Sequence, residues 1–242
     1  HKGVELTNEG RSLLPVLRQI INDEERLNQE VAEIQGLHKG ILRIGTHIST
    51  SMHWLPLILE HFQTNYPEIS IQIIECGQEE MITGLKEGTM DVILMAGPDE
   101  DDDVDFIPVY TDPMVVFYSN KHHSELNDYD MVPIEEIKEY PFLLTEANYD
   151  VDARKVFSNA GIVPNVKYTS KNDFAIMSMV ERGIGISILP EFIIDGYAGE
   201  HSYKLVSPAY YRKLGIGVKS LNDAGPLVRL FIDLILENFG ER

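Results

Sequence analysis

The sequence predicts an α/β protein: two successive sets of alternating strands and helices, preceded by one long helix. Three observations carry that expectation. Between Asn8 and Gln35 apolar residues recur at alternating steps of four and three, the seam of a heptad helix. From Ile41 onward strand-like and helix-like runs alternate, which is the grammar of right-handed βαβ units on a parallel sheet. After an acidic loop near residue 100 the alternation starts again, so the body divides into two similar lobes.

Taken in order, Val4–Leu6 alternates like the end of a strand, and Thr7 is a good N-cap for the helix that follows. That helix carries Leu13, Leu17, Ile20, Leu27, Val31 and Ile34 on its seam, with Glu24 as the polar intruder and Pro15 removing one backbone hydrogen bond. At 1.5 Å per residue it is about 40 Å long, and an apolar seam of that length calls for a partner chain. Gly36 and Gly40 end it.

The strand Ile41–Gly45 follows, then a helix capped by Ser49 or Thr50 and running to Asn65, where Tyr66-Pro67 stops it. The strand Ile69–Glu75, a helix over 78–88 and the strand Asp91–Ala96 complete the first set. Residues 99–105, D-E-D-D-D-V-D, lack the glycine turn and terminal Glu of an EF-hand, so they read as a solvated loop rather than a calcium site. Strands resume at Phe106–Val109 and Met114–Ser119.

The second set comprises a short helix over 134–139, the strand Phe142–Leu144, a helix over 150–160 closed by Gly161, and the strand Val166–Thr169. A helix Phe174–Arg182 capped by Asp173, and the strand Ile186–Leu189, follow. Strands near 203–206 and 213–219 lead to a last amphipathic helix, Leu227–Phe239.

Composition narrows the function. The chain of 242 residues, 43% of them hydrophobic, has room for one large domain or two small ones. No run of about 18 apolar residues predicts a membrane span, and no basic-then-apolar signal precedes the body, so a cytoplasmic location is expected. The single cysteine, Cys76, excludes an intramolecular disulfide and reads as a small buried side chain. The net charge of −19 excludes nucleic-acid contact by the body, which needs clustered Lys and Arg. Residues 1–43 are nearly balanced, with six basic and seven acidic side chains.

No catalytic constellation appears. The chain lacks a G-x-S-x-G elbow, a P-loop, H-E-x-x-H and G-x-G-x-x-G, so no enzyme is expected. The glycines of G-I-G-I-S (183–187) follow a helix and open a strand, the reverse of a phosphate loop. The adjacent His122 and His123 point to opposite faces of a strand, which argues against a metal site. The stretch T-H-I-S-T-S (46–51) stands out, because it places Thr46, His47, Ser49 and Thr50 where a strand ends and a helix begins. Such a place suits an anion, a carboxylate for instance, and equally suits plain helix capping. His47 is read with equal weight as a ligand contact or a loop histidine.

These residues together resemble the LysR-type transcriptional regulators almost from end to end. V-E-L-T-N-E-G-R-S-L-L-P resembles the junction between a winged helix-turn-helix and its linker helix, and G-I-L-R-I-G the first strand of the effector domain. L-P-L-I-L-E-H-F-Q-T-N-Y-P-E-I, L-K-E-G-T-M-D-V-I-L and M-V-E-R-G-I-G-I-S-I-L-P match later segments in the right order. The resemblance implies two Rossmann-like lobes of periplasmic-binding-protein type joined by two crossover strands. Residues 1–36 would be the end of the wing and the dimerisation helix, 40–116 with 219–242 lobe I, and 117–218 lobe II, with crossovers near 115–119 and 216–220.

It further implies an effector-sensing regulatory domain that binds a small organic metabolite between the lobes without a cofactor. By matching position, Ser49, Thr50, Gln78 and Ala96 would contact the effector from lobe I, and Thr145, Asn148, Tyr149 and Phe174 from lobe II. Lys171 is the one cation in those stretches, so a small carboxylate or a neutral metabolite fits. Homodimers, tetramers at full length, promoter DNA through the helix-turn-helix head and RNA polymerase indirectly are the implied partners. The head, roughly the first 60 residues of the family, has no counterpart in this sequence. The alternative reading is a periplasmic-type solute-binding protein of a transporter, which needs neither the heptad helix nor the wing junction.

Overall fold

A computed structural model describes residues 3–98, 103–146 and 151–240. The chain runs α1 (Asn8–Ile34), β1 (Gly40–Thr46), α2 (Ile48–His53), α3 (Leu55–Asn65), β2 (Ile69–Glu75), α4 (Gln78–Glu87), β3 (Val92–Ala96) and β4 (Asp105–Tyr118). It continues with β5 (Val132–Pro133), β6 (Phe142–Thr145), α5 (Asp152–Ala160), β7 (Val166–Ser170), α6 (Asp173–Glu181), β8 (Ser187–Pro190) and α7 (Glu191–Ile194). β9 (Ser202–Ser207), β10 (Tyr211–Val218) and α8 (Pro226–Phe239) close it. Two compact units result: residues 1–110 with 215–242, and residues 111–214. The boundaries fall inside β4 and β10, a few residues before the crossovers placed from sequence.

In the first unit β1 lies between β2 and β3, parallel to both, with Gly40 opposite Ile69 and Ile44 opposite Val92. Every residue of β3 is buried, as a strand covered on both faces requires. α4 packs Met81, Ile82 and Leu85 against Met90, Ile93, Met95 and Cys76. Each such large side chain contributes about 1.5–3 kcal/mol on leaving water. Trp54 stacks on Phe239 of α8, ring centroids 5.7 Å apart.

α1 starts where Thr7 accepts the Gly10 N–H on its hydroxyl at 3.1 Å. It ends in a Schellman turn, with Gly36 at φ 72°, Gly36 N–H donating to Glu33 O and Leu37 N–H to Ala32 O. One face of this helix is fixed to its unit largely by polar contacts. Arg18 meets Glu87 at 2.9 Å, Asn22 donates to Gly88 O, Arg26 donates to Asp223 O, and Glu25 receives both Nη atoms of Arg43. The heptad seam faces the other way: Leu13, Leu17, Ile20, Leu27, Val31 and Ile34 are 47–86% exposed.

In the second unit β4 pairs antiparallel with β8 and β9, β5 pairs parallel with β9, and β6 pairs parallel with β7. Its core gathers Met114, Val116, Tyr118, Leu126, Phe142, Phe157, Ile186, Ile188 and Val206. A buried ion network ties four elements: Arg212 Nε donates to Asp112 Oδ2 at 2.9 Å, Arg212 Nη1 donates to Asp152 Oδ2 at 3.2 Å, and the Phe192 N–H donates to Asp112 Oδ1.

Val4–Leu6 pairs with no strand among the described residues. Three local expectations are corrected. The single helix expected up to Asn65 is two, α2 and α3, because Pro56 has no N–H for the Met52 carbonyl and its ring crowds that turn. The two strands expected at 106–109 and 114–119 are one, β4, which ends at Tyr118 and whose polar Asp112 is buried against Arg212. Asn172, not Asp173, caps α6, since its Oδ1 accepts the N–H groups of Phe174 and Ala175. Most of the acidic stretch 99–105 lies outside the described residues.

Candidate effector site

The first unit collects its candidate residues at the carboxyl ends of three parallel strands, where ligands bind in such sheets. Thr46 ends β1, His47 is the N-cap of α2, and Ser49 and Thr50 lie in its first turn. Thr46, Ser49 and Thr50 are buried. The hydroxyls of Thr46 and Thr50 lie 2.8 Å apart and both reach the His47 carbonyl, at 3.0 and 3.1 Å. They therefore shape the turn that presents His47 and the α2 backbone.

The Cys76 N–H donates to Thr46 O, which ties the end of β2 to the end of β1. Gln78 at the start of α4 reaches Gly97 O, just beyond Ala96 at the end of β3, at a long 3.5 Å. Thus Thr46, His47, Ser49, Thr50, Gln78 and Ala96 occupy one end of one sheet. Cys76 lies beside them, and burial, with Glu80 nearby, pushes its thiol up to about 11, so it is neither a thiolate nor a nucleophile at neutral pH.

In the second unit Thr145 ends β6 and is buried. Its Oγ1 donates to Asp173 Oδ1 at 2.7 Å, so the expected contact residue is joined to the first residue of α6. Phe174 follows, half-buried, with its ring 6.0 Å from Tyr197. Asn148 and Tyr149 lie outside the described residues. Burial pushes the Asp173 carboxyl above its ordinary range, opposed by the Thr145 bond and then by the Arg212 charge. Burial likewise raises Asp112, against the pull of Arg212 and the Phe192 N–H.

Sequence reasoning missed three groups here. Asp173 was read as a cap, because a single-residue shift separates the two acceptors at the start of α6. Arg154 lies a turn into α5, yet its Nη2 donates to Thr145 O at 3.3 Å. Helical side chains lean toward the N-terminus of their helix, and that tilt was the available signal. Arg212 sits on β10, 60 residues from its partner Asp152 and 100 from Asp112, and no local pattern announces it.

Comparison with known proteins shows the family and the fold. The model of the LysR substrate binding domain matches residues 35–240. The uncharacterized HTH-type transcriptional regulator YvbU of Bacillus subtilis (strain 168) is 26% identical over 240 residues, covering 98% of this chain and 81% of that protein. The effector binding domain of QuiR, solved in complex with shikimate, superimposes with TM-score 0.70 at 18% identity, covering 82% of this chain and 96% of that one. A full-length BenM mutant superimposes with TM-score 0.72 at 19% identity, covering all of this chain and 82% of that one. With the family model spanning most of its length, on a fold shared with solved effector domains, the chain belongs to the LysR family of transcriptional regulators, as their substrate-binding domain.

Proposed function

We propose that this chain is the sensing part of its regulator and binds a small organic metabolite at the carboxyl-end loops of its lobes. Thr46, His47, Ser49, Thr50, Gln78 and Ala96 serve it from lobe I, and Thr145, Asn148, Tyr149 and Phe174 from lobe II. The observation that carries the reading is the family match over residues 35–240, and the gathering of the lobe I candidates at one end of one sheet accords with it. The family match favours this reading over a transporter's solute-binding protein. Members of the family are regulators, not enzymes, and no helix among the described residues is long and apolar enough to cross a membrane. Work in the cytoplasm, on promoter DNA through a helix-turn-helix domain such as the relatives' names record, belongs to the same proposal.

In this proposal residues 1–36 form the dimerisation segment, with Leu13, Leu17, Ile20, Leu27, Val31 and Ile34 packing on the same seam of a second copy. Their exposure on a helix whose opposite face is occupied supports the assignment. The effector then acts by favouring one packing of the lobes or of the dimer.

A thermal-shift screen with organic acids, amino acids and sugars tests the effector. A compound that binds only the folded chain raises the midpoint with concentration. Ser49→Ala with Thr50→Ala is expected to abolish the rise caused by a confirmed compound, and an undiminished rise overturns the site.

A further inference from the structure

At the carboxyl ends of β6 and β7 the second unit presents an acceptor beside the expected contact residue Thr145. The Thr145 hydroxyl is buried, and its proton is committed to Asp173 Oδ1 over 2.7 Å. The first-turn N–H groups of Phe174 and Ala175, which could have received an anion, are taken by Asn172 Oδ1 at 2.9 and 3.3 Å. Asp173 adds its own negative charge at the positive end of the α6 dipole. Of the nearby cations, Arg212 is answered by Asp112 and Asp152, and Arg154 turns its Nη2 to the Thr145 carbonyl at 3.3 Å. Asp173 is only partly buried as a residue and lies beside Phe174.

We infer that Asp173 is the specificity-determining residue of lobe II: its carboxylate accepts a hydrogen bond from a hydroxyl or ammonium group of the effector, and a bare carboxylate is turned away from this end. The inference rests on the effector-sensing reading above and deepens it. Thr145 is then a positioning residue that fixes the carboxylate through Oδ1 and leaves its remaining lone pairs for the ligand.

Matched acids supply the test: glutarate, 2-hydroxyglutarate and glutamate, then succinate, malate and aspartate, each titrated by calorimetry into the full chain. In at least one set the hydroxyl- or amino-bearing member binds about tenfold tighter or more than its bare partner, since a hydrogen bond to a charged group is worth that much. Which member gains separates a hydroxyl from an ammonium. In Asp173→Asn, with circular dichroism and midpoint showing a folded chain, the ratio falls to about threefold or less. Bare members that bind as tightly as their partners overturn the inference and leave the effector-sensing reading standing, as does an unchanged ratio in folded Asp173→Asn. The wild-type ratio decides the matter even if the variant fails to fold. If no acid of either set binds the wild type, this inference falls, while the effector-sensing reading is decided by the wider thermal-shift screen.

Discussion

Arg212→Met should be among the most damaging single substitutions in the chain. The wild-type guanidinium is buried, with Asp112 Oδ2 at 2.9 Å and Asp152 Oδ2 at 3.2 Å. Methionine fills similar space but leaves both carboxylates buried without that cation. Removing one partner of a buried ion pair costs about 3–5 kcal/mol, against a total stability of about 5–15 kcal/mol. For a chain of this size that lowers the midpoint by about 6–20 °C at pH 7.5 in differential scanning calorimetry.

The loss should shrink on acidification. The Asp112 carboxyl already stands above its ordinary value of 3.8 because it is buried, and without Arg212 it climbs further. A folded-state pKa above the unfolded one means that folding binds the proton. That contribution is present in full below the ordinary carboxylate value and is lost as pH rises through the raised one. The deficit of Arg212→Met is therefore smaller at pH 5 than at pH 7.5. Replacing Asp112 and Asp152 by Asn in the same chain should recover much of the stability at pH 7.5. A loss under about 1 kcal/mol, or one equal at both pH values, would refute the argument that desolvated carboxylates set the cost.

Three further outcomes follow from the same structure. Leu17→Glu with Ile20→Glu places charge on an exposed seam, so sedimentation should show association weakened by about tenfold or more while the midpoint of the isolated chain moves by about 1 °C or less. Gly185→Ala brings a Cβ to 2.1 Å from Pro141 O and 2.8 Å from Leu143 Cδ1, so urea unfolding should show a loss of about 1–3 kcal/mol or more. Cys76, with its thiol near 11, holds about one thiolate in a thousand at pH 8; mass spectrometry should find it slow to alkylate in the folded chain and fast in urea.

Periodicity is a local property, and what it governs was legible in the sequence. The span of α1, the parallel order of β1, β2 and β3, and the glycine stops all follow from neighbours within a turn or a strand. The break at Trp54 needed attention to Pro56, one proline inside an otherwise continuous apolar pattern. The two strands expected within β4 left Asp112 in the gap between them, and only a partner 100 residues away makes that charged residue an interior one. The candidate site divides the same way. The lobe I residues sit where strand ends and helix starts can be read directly, as at T-H-I-S-T-S. In lobe II, Asp173, Arg154 and Arg212 acquire their roles from tertiary neighbours, which spacing along the chain does not encode.

The manner in which α1 is attached has a mechanical consequence. Its inward face is held mainly by Arg18–Glu87, Arg43–Glu25 and the reach of Arg229 to Glu30 and Glu33, pairs at or near the surface worth about 0.2–1 kcal/mol each. Its outward face is oily. Salt weakens the first kind of contact and not the second. Ionic strength thus acts selectively on the joint between helix and lobe, so a rise in salt loosens α1 from its own lobe and leaves the apolar character of its outward face untouched.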